Sequence, residues 1–298
     1  MTALLIHVIM IYDFSIAGLL LRCDVPFEMY MSDETAPFYL AEGGNDPDFL
    51  FTMTGVSEIA VPGPSAVRYQ NYDFAYSDSS VDIYHYRDLK APPVVHVSWQ
   101  KAFPDRLCCR YLQEIQDSVC TGRDIINLIN LELFLLHFGG LLLHCSFISR
   151  QGKGILFTAP SGTGKSTQAD LWKQYEQADI INGDRASLVR RDGEWSAWGL
   201  PYAGTSGIYR NTSAPVSAIV VLRQASENRT VRLSPAQALR YIYPELTMHR
   251  WDHRFVDKAL SQLLELLTDV PVWLLECTPD YRAVRCLKET LMEGGILS

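Results

Sequence analysis

The sequence predicts an α/β protein in which a β-rich N-terminal module precedes a domain with a mixed sheet. The first part of the chain has short apolar runs, such as Phe49–Thr54 and Val94–Trp99, separated by turn clusters, a pattern typical of β structure. From Leu141 onward, strand-like runs alternate with helical periodicity, as in α/β proteins. We therefore place the boundary near residue 120, with a β-rich module over residues 1–120 and an α/β domain over residues 121–298.

Composition indicates an ordinary soluble chain with no nucleic-acid partner. The 298 residues are 48% hydrophobic and 20% charged, with a net charge of −8 at pH 7. General nucleic-acid binders are usually basic, whereas a local pocket for phosphate needs no net positive charge. The 7 cysteines include no CxxC pair, so neither a disulfide framework nor a zinc ribbon is indicated. A reducing, cytoplasmic location is the expectation.

The apolar N-terminus raises the question of a signal peptide or membrane segment. It carries no Lys or Arg before Arg22 and has Asp13 in its middle, so the basic region of a signal peptide is missing. No apolar run is long enough to span a bilayer. We interpret this region as strands, beginning with Ile6–Tyr12, and expect no membrane partner.

Several boundaries can be predicted from local chemistry. A helical period covers residues 123–138 and should end at Gly139 and Gly140. Ser234-Pro235 and Thr278-Pro279 each resemble an N-cap followed by proline at the first helical position.

The most informative stretch is APSGTGKST, residues Ala159–Thr167, which fits a phosphate-binding loop with alanine in the leading glycine position. An apolar strand precedes it and an amphipathic helix follows, which is the context that this motif requires. Backbone N–H groups of such a loop point at phosphate oxygens, while Lys165 neutralises phosphate charge and Ser166 holds Mg²⁺. The candidate nucleotide-binding residues are Ser161, Gly162, Thr163, Gly164, Lys165, Ser166 and Thr167.

Two further residues are candidates for the chemistry. Asp184 ends the short apolar strand in DIINGDR, where a metal-binding or base carboxylate is expected, and an ordinary turn aspartate is the alternative. Its neighbour Arg185 either contacts phosphate or is solvated. His144 lies in the apolar run LLLHCSFI, and on residue type alone it is a core histidine.

The run from Leu141 to about Leu222 resembles the catalytic domain of HPr kinase/phosphorylase, on the segments LLLHCSFISRQGKGILFTAPSGTGKST and DIINGDRASLV. The resemblance implies the P-loop fold shared with phosphoenolpyruvate carboxykinases, ATP and Mg²⁺ as cofactors, and phosphoryl transfer to a serine of a protein. It places Lys165 and Ser166 on the nucleotide and metal residues, Asp184 on the acid that activates the serine, and His144 near the transferred phosphate. Members of that family are closed oligomers, and a homo-oligomer is left open here.

The sequence also departs from that family. Its adjacent aspartates are Gly183-Asp184 here, so one carboxylate must serve metal binding, base chemistry or both. The glycine-rich element of the reverse reaction is replaced by WGLPYAGTSGIYRN, whose polar side chains either contact substrate or simply connect strands. These side chains are Thr205, Ser206, Tyr209 and Arg210. The chain looks more like the shorter HPr-kinase-like proteins, some of which phosphorylate a peptide serine.

The expected function is a Mg²⁺-ATP-dependent kinase acting on a serine of a peptide or small protein, with catalytic residues Asp184, His144 and Lys165 and metal ligands Ser166 and Asp184. Two alternatives stay open: a small-molecule kinase or nucleotide hydrolase, and a non-catalytic ATP-sensing module. The basic segment HRWDHR (residues 249–254) is interpreted as a helix-linking loop rather than an acceptor site.

Overall fold

The computed structural model describes residues 8–44, 46–202 and 204–298. The chain forms two compact units, one ending at Phe134 and the other beginning at Leu135. The boundary predicted near residue 120 stays a prediction about separable domains, since compactness alone does not test whether each part folds independently.

The first unit is β-rich. Its strands are β1 (Met10–Ile16), β2 (Leu19–Val25), β3 (Tyr39–Leu40), β4 (Phe49–Val56), β5 (Val67–Tyr69), β6 (Tyr72–Tyr76), β7 (Ser80–His85), β8 (Val95–Gln100) and β9 (Arg106–Leu112). They form one mixed sheet in the order β3-β1-β2-β4-β9-β8-β7-β6-β5. β4 runs parallel to β2 and to β9, and the other neighbours are antiparallel. Of the predicted strand Ile6–Tyr12, residues 6 and 7 lie outside the described residues, and β1 begins at Met10.

The helix predicted over residues 123–138 is two helices, α1 (Gly122–Ile129) and α2 (Leu131–His137). Asn130 separates them with a left-handed backbone at φ 56°. Its side-chain amide donates to the Leu128 carbonyl at 3.0 Å, which is the local bonding that lets Asn adopt this conformation. The apolar period continues across the break, so periodicity alone could not reveal it.

The second unit mixes strands and helices. Its strands are β10 (Gly140–Arg150), β11 (Lys153–Thr158), β12 (Asp179–Asn182), β13 (Arg185–Arg191), β14 (Glu194–Gly199), β15 (Ser213–Gln224), β16 (Arg229–Arg232) and β17 (Val272–Cys277). They follow the order β11-β10-β13-β14-β15-β17-β16, with β12 paired to β10. β11 also pairs in parallel with β15. Strand pairing therefore runs in a closed circuit from β11 through β10, β13, β14 and β15 back to β11. The second unit is thus a mixed sheet, as predicted.

Four helices complete this unit: α3 (Lys165–Glu176), α4 (Pro235–Ile242), α5 (His253–Asp269) and α6 (Tyr281–Glu293). Ser234 caps α4 through a capping box with Gln237, as the sequence predicts. The prediction that Thr278 caps the last helix is wrong, because Asp280 is the N-cap and accepts from the Arg282 amide at 2.8 Å. Thr278 instead bonds with Asn228 at the end of β17.

The strand and helix on either side of the glycine loop share a fully buried core. Phe157 of β11 and Trp172 of α3 have ring centroids 6.3 Å apart, and Val284 and Leu287 of α6 belong to the same cluster. This packing fixes the end of β11 relative to the first turns of α3. Within the described residues, no helix is both long and apolar enough to cross a membrane.

The break at Asn130 gives a stability prediction. Asn130→Ala should lower the free energy of unfolding by ~1 kcal/mol, because alanine is strained in the left-handed region and lacks the amide that bonds Leu128. Asn130→Gly should change it by less than ~0.5 kcal/mol, since glycine adopts this conformation freely. Urea unfolding of the full chain measures both. Equal free energies of unfolding for Asn130→Ala and the wild type would contradict this role of Asn130.

Candidate functional site

The loop between β11 and α3 has the backbone that its glycines predict. Gly162 has φ 81° and Gly164, the residue that caps α3, has φ 114°. Both values lie in the region that side chains disfavour, which explains glycine at these two positions. The loop leads into α3 at Lys165, so the positive end of the helix dipole and its first N–H groups lie at this loop.

The Lys165 side chain is buried beneath the loop, with only 8% of the residue exposed. Its ammonium donates to the Ala159 carbonyl at 2.8 Å and to the Pro160 carbonyl at 3.4 Å. Among the described residues no carboxylate forms an ion pair with it, and its third N–H has no partner. A buried cation bonded only to carbonyls is costly, and an anion would compensate for it.

Burial lowers the pKa of Lys165 below its ordinary value, while the nearby charges of Glu245 and Asp184 act in the opposite direction. The negative charges of both carboxylates thus favour the protonated form of Lys165. The structure thus relates Lys165 to Asp184, which the sequence had singled out, and to Glu245, which it had not.

The hydroxyls and glycines of the loop differ in exposure. Ser161 and Thr167 are exposed, whereas Thr163 and Ser166 are partly buried. The amide of Gln224, at the end of β15, lies against the loop and donates to the Thr163 carbonyl at 3.3 Å. Ser166 stands in the first turn of α3, one residue after Lys165.

Asp184 lies in the turn between β12 and β13. The Asn182 side chain builds this turn, since its oxygen accepts from the Asp184 amide at 2.9 Å and the Arg185 amide at 3.0 Å. Its nitrogen donates to the Leu200 and Tyr202 carbonyls, which ties the turn to the chain after β14. The Asp184 carboxylate stays 27% exposed and lies 3.2 Å from Arg185 Nε, so Arg185 is an ion-pair partner of Asp184.

Gly183 could not carry a second carboxylate in this conformation. A Cβ on Gly183 would overlap the Ser206 side chain, and a Cβ on Gly204 would lie 2.7 Å from that of Asp184. The segment Gly204–Ser206 therefore packs directly against the turn that holds Asp184. This packing requires glycine at position 183 in this conformation.

His144 is not a core histidine: its side chain is 28% exposed, and its Nδ1 lies 2.9 Å from Glu245 Oε2. Glu245 itself is 10% exposed and ends the short 3₁₀-helix Tyr243–Glu245 after α4. The backbone oxygen of His144 accepts from Thr158 Oγ1 at 2.9 Å, and Thr158 is the last residue of β11. His144 thus lies beside the strand that delivers the glycine loop.

A cavity of about 400 Å³ lies beside the loop. Gly164, Gln224, Cys277 and Thr278 are among the residues that line it. Burial raises the pKa of the Cys277 thiol to about 11, so this wall is uncharged at neutral pH. The volume falls in the range of ~300–1,000 Å³ typical of small-molecule sites.

The other segments considered from the sequence have structural partners. Arg210 forms an exposed ion pair with Asp179 at 3.2 Å, and Tyr209 bridges to Asn182. In HRWDHR, Arg250 donates to the Tyr243 and Pro244 carbonyls, which agrees with the helix-linking interpretation.

Sequence reasoning missed Glu245, Asn182 and Gln224. Asn182 was detectable in principle, because Asn before Gly-Asp is a turn signal with a side chain that bonds the following amides. Glu245 gave no signal, since 101 residues separate it from His144.

Comparisons with known proteins give one family. A model of the family described as "SynChlorMet cassette protein ScmC" matches residues 109–280. No curated protein matches the chain. Among solved structures, the Hpr(Ser) kinase/phosphatase from Coxiella burnetii is similar at 13% identity, with a TM-score of 0.32, over 52% of this chain and 89% of that chain.

The family match covers more than half of the 298 residues. It includes the glycine loop and the positions of His144, Asp184 and Glu245. The chain therefore belongs to the ScmC family.

Proposed function

We propose that this chain is a Mg²⁺-ATP-dependent kinase that transfers the γ-phosphoryl group to a serine hydroxyl of a peptide or small protein. The observation that carries the proposal is the buried Lys165 ammonium beneath a glycine loop at the start of α3, bonded only to carbonyls. A polyphosphate is the anion that such a loop, lysine and helix end suit together.

The cavity beside the loop supports a nucleoside on the same phosphate chain. It borders Gly164 and Thr278 and is continuous with the loop residues that would hold phosphate. Gln224 offers a carboxamide at this wall, and Cys277 offers an uncharged surface for a base. A nucleoside triphosphate therefore fits better than inorganic phosphate alone.

The residues near the loop suit Mg²⁺. Mg²⁺ takes few protein ligands and completes its shell with waters and substrate phosphates. Within the described residues no cluster of three or more His, Cys, Asp or Glu side chains is placed to hold a metal. The Ser166 hydroxyl and the partly buried Asp184 carboxylate are the donors that would hold the ion. When bound, the ion neutralises charge on the phosphates.

Asp184 and His144 are the groups available to the acceptor hydroxyl. The serine oxygen forms a bond to the γ-phosphorus as the bond from that phosphorus to the bridging oxygen breaks, and ADP leaves with the electron pair. The hydroxyl proton passes to a protein base, which contributes ~10²–10⁴-fold in such reactions. Lys165 and the loop N–H groups stabilise the charge on the transferred oxygens.

Lys165 gives the first test of this function. Lys165→Ala should weaken ATP binding by ~10-fold or more, since a charge-assisted hydrogen bond is worth ~1.5–3 kcal/mol. Calorimetric titration of ATP measures the affinity, and Lys173→Ala on the exposed face of α3 is the matched control. Unchanged affinity in Lys165→Ala with a folded chain would rule out the phosphate loop.

Asp184 gives a test of chemistry apart from binding. Asp184→Asn should leave ATP affinity within ~3-fold while lowering phosphoryl transfer by ~100-fold or more. Transfer is followed from γ-labelled ATP in a soluble extract of the source cells, with Asp179→Asn as the exposed control. A rate within about twofold of wild type would remove Asp184 from the mechanism.

A further inference from the structure

We propose that Glu245 is a positioning residue that fixes the tautomer of His144, and that His144 then takes the proton of the acceptor hydroxyl while Asp184 is left to the metal. This inference rests on the proposed kinase function. It assigns separate roles to two groups that the function alone leaves interchangeable.

The contact between the two side chains determines where the imidazole proton lies. Glu245 Oε2 lies 2.9 Å from His144 Nδ1, and an ionised carboxylate only accepts hydrogen bonds. Nδ1 of neutral His144 must therefore carry the proton, which leaves Nε2 with a lone pair. Among the described residues nothing bonds Nε2, and the His144 side chain is 28% exposed, so the basic nitrogen is available to a substrate.

Glu245 is fixed to the strand that carries His144. The Thr247 amide donates to the Leu142 carbonyl at 2.9 Å, and Leu246 forms a β-bridge with Leu143. The segment before it is fastened as well, because the Arg250 guanidinium donates to the Pro244 carbonyl at 3.1 Å and to the Leu246 carbonyl at 3.4 Å. The backbone on both sides of the carboxylate is thus held, as a positioning group requires.

The pair lies among the groups already assigned to the site. His144 faces Arg185 across the β10–β13 ladder, and the Cys145 amide donates to the Asp184 carbonyl at 3.0 Å. The charge of Glu245 also acts on Lys165. The His144–Cys145 segment of β10 therefore lies beside the turn that holds Asp184.

The proton transfer can be written with this arrangement. As the serine oxygen bonds to the γ-phosphorus and ADP departs, the hydroxyl proton moves to His144 Nε2. The imidazolium that forms keeps its Nδ1–H bond to Glu245, whose negative charge stabilises it. Release of the proton to solvent restores the neutral ring. A carboxylate that orients a histidine base in this way acts through the histidine and does not take up the proton itself.

The experiment measures the tautomer directly, by two-bond ¹H–¹⁵N correlation spectra of the folded chain with ring-labelled histidine. The chain has 7 histidines, and loss of one signal set in His144→Gln assigns His144. Wild type should show neutral His144 protonated at Nδ1. Glu245→Ala should shift it to the Nε2–H form that free imidazole side chains favour, whereas Glu245→Gln, which keeps an acceptor oxygen, should retain Nδ1–H. Glu194→Ala, at an exposed hairpin position, is the control.

Kinetics test the consequence. Glu245→Ala should lower kcat by ~10²–10⁴-fold, as expected when a histidine base is in the wrong tautomer, with KM for ATP within ~3-fold of wild type. Glu245→Gln, which removes the charge but not the acceptor, should fall between Glu245→Ala and wild type. The proposal is overturned if wild-type His144 carries its proton on Nε2, if Glu245→Ala leaves the tautomer unchanged, or if kcat stays within about twofold.

Failure of the kinase function gives a different result. In that case the wild type transfers no phosphoryl group, while Glu245→Ala still moves the His144 proton from Nδ1 to Nε2. That result would support the positioning of His144 by Glu245 and would overturn both the proposed function and the proton transfer to His144.

Discussion

The site depends on a lysine ammonium held out of water. Burial of Lys165 is unfavourable on its own, and the chain compensates with two loop carbonyls and the more distant charges of Glu245 and Asp184. Much of the surrounding structure serves this arrangement: Phe157 and Trp172 fix the strand and helix, and Gly162 and Gly164 permit the loop. An anion that enters the loop would complete the compensation, which is the physical basis of the phosphate site that we propose.

The parts of the fold that depend on local chemistry could be predicted from the sequence. The glycine loop between a strand and a helix and the cap at Ser234 follow from residue types within a few positions of one another. Periodicity and proline position do not determine the break at Asn130 or the cap at Asp280, because local side-chain bonds decide both. One helix was expected where the structure has two, and the last helix is capped two residues after the predicted position.

The same distinction between local and long-range interactions applies to the residues of the candidate site. Lys165 and Asp184 were found because their motifs are contiguous, whereas Glu245 reaches His144 across 101 residues and only the pairing of Leu246 with Leu143 brings it there. The crowding of Gly183 by Ser206 likewise depends on a loop that returns from β14. Asp184 is thus the one carboxylate of its turn, and the carboxylate that contacts His144 comes from a different element.

The most direct test of the central claim follows γ-labelled ATP in a soluble extract of the source cells, with Mg²⁺ and either wild type or Lys165→Ala. The label is traced into phosphoserine of peptides and proteins, into metabolites and into free phosphate. A protein kinase predicts phosphoserine in a peptide or protein with wild type and none with the variant. Label only in metabolites or free phosphate, or tight ATP binding with no release of ADP, would contradict it.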